Sequence, residues 1–195
     1  MACSLGRLFR LAPNASTFQP DLFSRILPTL HSSEALVISL YIRTGQTEGR
    51  NENWESTINY RKRAESIIEC ALNLEKENPS RVSFSRVVWM VVTDSQYLKK
   101  FITEDYSRYT NDTSFSREVV TTRSRGAHTR PLSSPSTSDV AEALIDWYLI
   151  GESDLVVTDD FGPSFGDTAA TRTARPYYKV KGKDIVCSKV VPILK

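Results

Sequence analysis

Two stretches of this chain are apolar almost without a break: EALVISLYIRTG at 34–45 and RVVWMVVTDS at 86–95. A strand with one wet face alternates apolar and polar residues. A run that stays apolar, rich in Val and Ile and closed by polar residues, is covered on both faces, as in a parallel sheet flanked by helices. That pattern constrains the chain more than any other feature. DLVVTD at 154–159 and REVVTTR at 117–123 repeat it in shorter form.

Between these runs the period changes. INYRKRAESIIECALNLEKEN (58–78) places apolar residues at 60, 64, 67, 68, 71, 72 and 74, with Lys62, Glu65 and Glu69 mainly off that face, which predicts a helix. QYLKKFITEDY follows the Thr-Asp-Ser end of the second run, a good helix cap. SDVAEALIDWYLIGES has its apolar face at Val140, Ala143, Leu144, Trp147 and Tyr148, capped by Ser138 or Asp139. FGDTAATRTA predicts a short helix after a Ser/Gly turn, and YYKVKGKDIVCSKVVPIL a terminal hairpin or two edge strands. The Ser/Pro-rich stretch 124–138 predicts a loop.

Alternating strands and helices predict an α/β fold, a Rossmann-like parallel sheet with helices on both faces. Its core strands are expected at 35–43, 87–93, 118–122 and 155–158, with the last next to the first. Residues 1–33 read as a lead-in segment and 34–195 as the folded domain. A chain of 195 residues has room for one well-packed domain. A net charge of +2 gives no argument for nucleic acid or an acidic membrane, and no apolar run is long enough to span a bilayer. Three cysteines without CxxC spacing predict neither a zinc site nor a disulfide framework, and Cys70 reads as a small buried apolar residue. Sequons occur at Asn14 and Asn111.

In a parallel sheet, ligands bind at the carboxyl ends of the strands. Here those ends carry Arg43-Thr44-Gly45, Thr93-Asp94-Ser95, Thr121-Thr122-Arg123 and Thr158 to Gly166. Arg43 offers a planar fork of donors suited to a phosphate; the alternative is a salt-bridged surface arginine. Ser164, Phe165 and Gly166 open a helix whose unpaired N–H groups and dipole favour an anion; the alternative is a plain N-cap. Gly162 and Gly166 read as places where a ligand approaches the backbone. Asp154, Asp159, Asp160 and Asp167 are acidic, but their spacing is not that of a calcium loop and no metal site is expected. His31 and His128 lie in no motif. No hydrolase or P-loop motif occurs.

VISLYIRTG, VVTDS and DWYLIGESDLVVTDDFGPSFGDTAA together resemble the motifs of the fucosyltransferase superfamily, which includes the α1,2-, α1,6- and protein O-fucosyltransferases. CSLGRLFRLAP is similar to the stretch before the first motif, so the resemblance covers residues 3–175. It implies the C-terminal, donor-binding lobe of a GT-B glycosyltransferase that takes GDP-fucose, inverts configuration and needs no metal or other cofactor. Position by position, it implies that Arg43 binds the β-phosphate and acts in catalysis. Asp154 would lie near the base, Asp94 and Ser95 near the nucleotide, and Ser164, Phe165, Gly166 and Thr168 against the pyrophosphate and nucleoside. The implied partners are a nucleotide sugar and a glycan or protein acceptor, and the implied compartment is the ER or Golgi lumen. The chain itself carries no signal or anchor, which leaves the cytoplasm as the alternative. Departures from the motif are Tyr41 in place of a histidine, Thr44 in place of a second arginine and Gln46 in place of an acid. With no room for an acceptor lobe before residue 34, the readings are a fragment of a transferase or a non-catalytic nucleotide- or phosphate-binding module.

Overall fold

Strand β1 (Ala35–Ile42) has a parallel partner on each side: β2 (Arg86–Thr93) along its whole length and β4 (Leu155–Asp159) along its second half. β3 (Ser116–Thr121) extends the sheet beyond β2, and β5 (Tyr177–Lys181) extends it beyond β4, both parallel. β6 (Val186–Val190) closes the far edge antiparallel to β5. In this computed structural model, which describes residues 9–44, 54–77, 84–107, 116–126, 135–159, 165–181 and 186–191, the strand order is β3-β2-β1-β4-β5-β6. The parallel core expected from the four apolar runs is present, with β4 beside β1. The expected terminal hairpin is β5–β6.

Successive β1 side chains point to opposite faces of the sheet, and both faces are covered. Leu36, Ile38, Leu40 and Ile42 meet Ala64, Ile67, Ile68, Ala71 and Leu74 of helix α2 (Trp54–Glu77) and Leu98 and Ile102 of α3 (Gln96–Tyr106). Ala35 and Val37 meet Ile145, Leu149 and Ile150 of α4 (Thr137–Gly151) and Ala169 and Ala170 of α5 (Phe165–Arg172) on the other face. That second face is also covered by Ala15 in a 3-10 turn (13–17), by Leu22 and Ile26 in a π-helical turn (22–26), and by Leu30 in α1 (Leu27–Leu30). Each fully buried Leu or Ile contributes on the order of 1.5–3 kcal/mol. The even apolar composition of β1 therefore follows from its central, two-sided burial. Among the described residues, no helix is long and apolar enough to cross a membrane.

Helix α4 differs from its expected orientation. Val140 and Leu144 are exposed, while Ile145, Asp146, Leu149 and Ile150 face the core. The inward stripe contains a carboxylate, Asp146, whose burial is offset by a 2.6 Å hydrogen bond from the Thr122 hydroxyl. A periodicity argument assigns such a residue to solvent, and this rotated the expected face. The helix starts two or three residues before the expected cap: Ser136 is the cap, its hydroxyl accepting from the Asp139 amide while the Asp139 carboxylate accepts from the Ser136 amide.

The cysteines also correct the sequence reading. Cys70 in α2 is bonded to Cys187 in β6 across a Cα–Cα distance of 5.6 Å. Cys70 is buried among apolar neighbours as expected, but its sulfur meets the edge hairpin that folds back under α2. The bond closes a span of 117 residues, long enough to restrict the unfolded chain strongly. Reduction, or Cys187→Ser, is expected to lower the unfolding free energy by roughly 2–5 kcal/mol, read from urea melts with and without reductant. Coincident melts would show that the bond contributes nothing.

Candidate functional site

The strand order turns at β1: β2 and β3 lie on one side, β4 and β5 on the other. In open α/β sheets the crevice for a ligand forms at such a switch point, beyond the carboxyl ends of the strands. Arg43 is the first residue after β1 and stands at that crevice. Its Nε lies 3.2 Å from Asp94 Oδ2, at the end of β2, and its side chain is 33% exposed against 1% for that of Asp94. The other oxygen, Asp94 Oδ1, accepts from the Thr44 amide and the Thr44 hydroxyl, each at 2.8 Å. A buried carboxylate thus holds the two residues that follow β1, and the Arg43 side chain stays one-third exposed. Asp94 serves here as the bracket for Arg43, a role the sequence did not disclose.

The segment after β3 closes over this bracket. Gly126 has φ +68°, and a Cβ on it would fall 2.3 Å from the Asp94 Cα. The preceding residues are held by polar groups from several directions. Lys99 Nζ donates to the carbonyls of Thr122 (3.1 Å) and Ser124, Gln96 donates to the Ser124 carbonyl (3.1 Å), and the Arg123 amide donates to Gln19 Oε1 (2.9 Å). The Arg125 guanidinium pairs with Asp139 at 2.5 Å. Burial pushes the Asp146 carboxyl up and the Lys99 ammonium down from their ordinary values; their mutual attraction opposes both shifts. This support resides in residues that no motif names.

On the other side of Arg43 sits the first turn of α5. Phe165 stacks on Tyr41 with ring centroids 5.5 Å apart and planes at 27°. Burial raises the Tyr41 hydroxyl to about 12, with Arg43 pulling the other way, so the phenol stays neutral. Gly166 lies against Tyr41 and Thr158: a Cβ there would come within 3.2 Å of Tyr41 Cδ1 and 3.5 Å of Thr158 Cβ. The glycine therefore admits the strand side chains. Strand packing is thus a second reason for a glycine here, beside the expected approach of a ligand.

The remaining expected residues divide as follows. Ser95 is buried and caps α3, its hydroxyl accepting from the Leu98 amide at 3.4 Å. Thr168 is exposed; its hydroxyl accepts from Trp147 Nε1 and donates to the Phe165 carbonyl, each at 3.0 Å, which ties α4 to the start of α5. Ser164, Gly162 and Asp160 lie outside the described residues. Asp154 is not at this rim. It precedes β4, accepts from the Val37 amide at 3.0 Å and faces Arg175 at 3.8 Å. Six residues of extended strand separate Val37 from Arg43, about 20 Å, so Asp154 belongs to the opposite end of the sheet. The short loop from α4 into β4 put it there. Among the described residues, no three acidic, histidine or cysteine side chains form a group able to hold a metal ion. Sequence reasoning also passed over Lys179 of β5, whose Nζ lies 2.8 Å from Asp167 Oδ2 in the first turn of α5.

No protein-family model and no curated protein matches this sequence. Solved structures do match the fold. NodZ α-1,6-fucosyltransferase soaked with GDP-fucose is similar over 95% of this chain and 50% of its own, with TM-score 0.55 and 14% identity. A mutant of Arabidopsis thaliana FUT1 in complex with GDP is similar over 96% of this chain and 39% of its own, with TM-score 0.59 and 13% identity. Fucosyltransferase NodZ from Bradyrhizobium gives 95% and 50%, with TM-score 0.52 and 16% identity. The chain has a fucosyltransferase-like fold and spans half or less of the length of these structures.

The contact between Gly126 and Asp94 makes a direct prediction. Gly126→Ala is expected to cost about 2 kcal/mol or more, because φ is positive and the methyl group meets backbone that cannot yield cheaply. Urea unfolding measures it, and a change under about 0.5 kcal/mol would show that the segment over Asp94 relaxes freely.

Proposed function

We propose that this chain is the nucleotide-sugar-binding lobe of a fucosyltransferase-like glycosyltransferase, with the diphosphate of GDP-fucose held beside Arg43. The observation that carries the reading is the position of Arg43: at the switch point, oriented by a buried carboxylate and one-third open. An arginine held in this way presents donors in a set direction and needs little reorganisation when charge develops nearby. Two of the solved structures of similar fold were obtained with GDP-fucose or GDP, which supports the guanine nucleotide as the ligand class. Residues 34–195 would form the donor-binding domain and residues 1–33 would lead into it.

The chemistry would be an inverting transfer. An acceptor hydroxyl, on a glycan or a protein, attacks the anomeric carbon of fucose from one face and gives up its proton to water. The bond from that carbon to the β-phosphate oxygen breaks on the other, and the electron pair leaves with GDP. Arg43 would neutralise the charge gathering on the departing diphosphate, a role that needs no metal. Phe165 on Tyr41 would form the apolar flank of the site, and the backbone N–H groups at the start of α5 would face the phosphates. The Cys70–Cys187 bond supports an oxidising compartment such as the ER or Golgi lumen.

Calorimetry with GDP, GDP-fucose, UDP and ADP tests the ligand class. GDP and GDP-fucose are expected to bind and UDP and ADP to bind weakly. Arg43→Ala should weaken GDP by about 1.5–3 kcal/mol, as for a hydrogen bond to a charged group. Arg43→Lys should rescue little, because the planar fork is lost. Unchanged GDP affinity in folded Arg43→Ala protein would overturn the proposal.

A further inference from the structure

Tyr41, Thr158 and Lys179 lie in register across three adjacent strands: Tyr41 pairs with Thr158, and Thr158 with Lys179. Residues in register on parallel strands point to the same face. Three consecutive residues of α5 are seated on this row. Phe165 stacks on Tyr41, Gly166 lies against Tyr41 and Thr158, and Asp167 pairs with Lys179. The row thus determines where the first turn of α5 lies relative to Arg43, two residues beyond Tyr41 on the same strand face. Lys179 and Tyr41 are two strand spacings apart, about 10 Å.

Asp167 is awkward in this place. A carboxylate in the first turn of a helix is favourable for the helix alone. Beside a site for a diphosphate it repels the ligand. Lys179 answers that repulsion directly, at 2.8 Å, and the pair is only 17% and 13% exposed, so water and salt screen it less than a surface pair.

We propose that Lys179 is a charge-balancing residue of the nucleotide site: it neutralises Asp167 in the first turn of α5, so that a diphosphate is accepted beside Arg43. The proposal rests on the nucleotide reading above. It names a residue outside every motif that suggested that reading.

The test is calorimetry with GDP and GMP on four proteins: wild type, Lys179→Met, Asp167→Asn and the double variant, with thermal melts on each. Lys179→Met is expected to bind GDP about tenfold more weakly, and GMP less affected, since the Asp167 charge loses the offset from Lys179 and acts on the diphosphate. Asp167→Asn should bind GDP several-fold more tightly, because one negative charge beside the diphosphate is removed while the positive charge of Lys179 stays. The double variant should recover most of the loss. A merely structural ion pair differs at the other two variants: Asp167→Asn then also weakens binding and the double variant recovers nothing. That result, or equal GDP affinity in wild type and folded Lys179→Met, overturns the inference and leaves the nucleotide reading standing. If Lys179→Met does not fold, Asp167→Asn decides alone, and GDP binding no tighter than wild type counts against the inference. A wild-type chain that binds no GDP overturns the nucleotide reading and this inference with it.

Discussion

Everything at the rim depends on the register of β1 between β2 and β4. Ile38 pairs with Leu155 and Tyr41 with Thr158 on one side, while Ile42 pairs with Thr93 on the other. A slip of one residue would exchange the two faces of the strand. Leu36, Ile38, Leu40 and Ile42 would then face α5, and Tyr41 would face α2. The polar break in the run helps to hold the register, because the Ser39 hydroxyl meets that of Ser153 at 2.5 Å inside the core. With β1 in place, Tyr41 falls under Phe165 and Arg43 falls beside Asp94 with no further instruction.

The site is then built by satisfying buried polar groups. Asp94 is buried, and its partners Arg43 and Thr44 come from the strand next door. Asp146 is buried on α4, and Thr122 answers it from the end of β3. Lys99 reaches from α3 to the same segment. Removing any one partner would leave a charge or dipole stranded in low dielectric, which is costly. These groups therefore act together, and their common effect is to fix the segments after β1 and β3 around Arg43. Asp94 orients the guanidinium, and Asp94 itself is buried beneath the Gly126 segment.

This explains what could and could not be read from the sequence. The four apolar runs reported their own burial, since continuous apolar composition and parallel pairing have one cause. The convergence of strand ends on one rim followed from parallel order. Asp154 misled because a motif match gives a residue's neighbours in the chain, whereas the end of the sheet it occupies depends on where β4 starts. Asp94 was found, but its role was not, because a carboxylate reads alike whether it meets a ligand or an arginine. Asp146 reversed the expected face of α4 for the same reason: its partner, Thr122, is distant in sequence. Gly166 read as space for a ligand, and only the packing added that it also lies against Tyr41 and Thr158. Cys70 read as core, correctly, and its bond to Cys187 stayed hidden because pairing depends on the antiparallel return of β6.

The disulfide and the rim are connected through that return. Cys187 stands opposite Val180 in the β5–β6 ladder, and Val180 follows Lys179. β5 has only β4 to hold it on its inner side, and its partner β6 is an edge strand with no neighbour beyond it among the described residues. An edge hairpin is among the first elements of a sheet to open. Linking β6 to α2, a helix packed on the centre of the sheet, couples that edge to the most protected part of the core. Loosening the bond would therefore act first on β5, and through Lys179 on Asp167 and the first turn of α5. β1 and the Arg43–Asp94 pair, flanked on both sides, would be the last to respond. The covalent link on one face of the sheet and the ion pair on the other act on the same peripheral hairpin, the first through β6 and the second through β5.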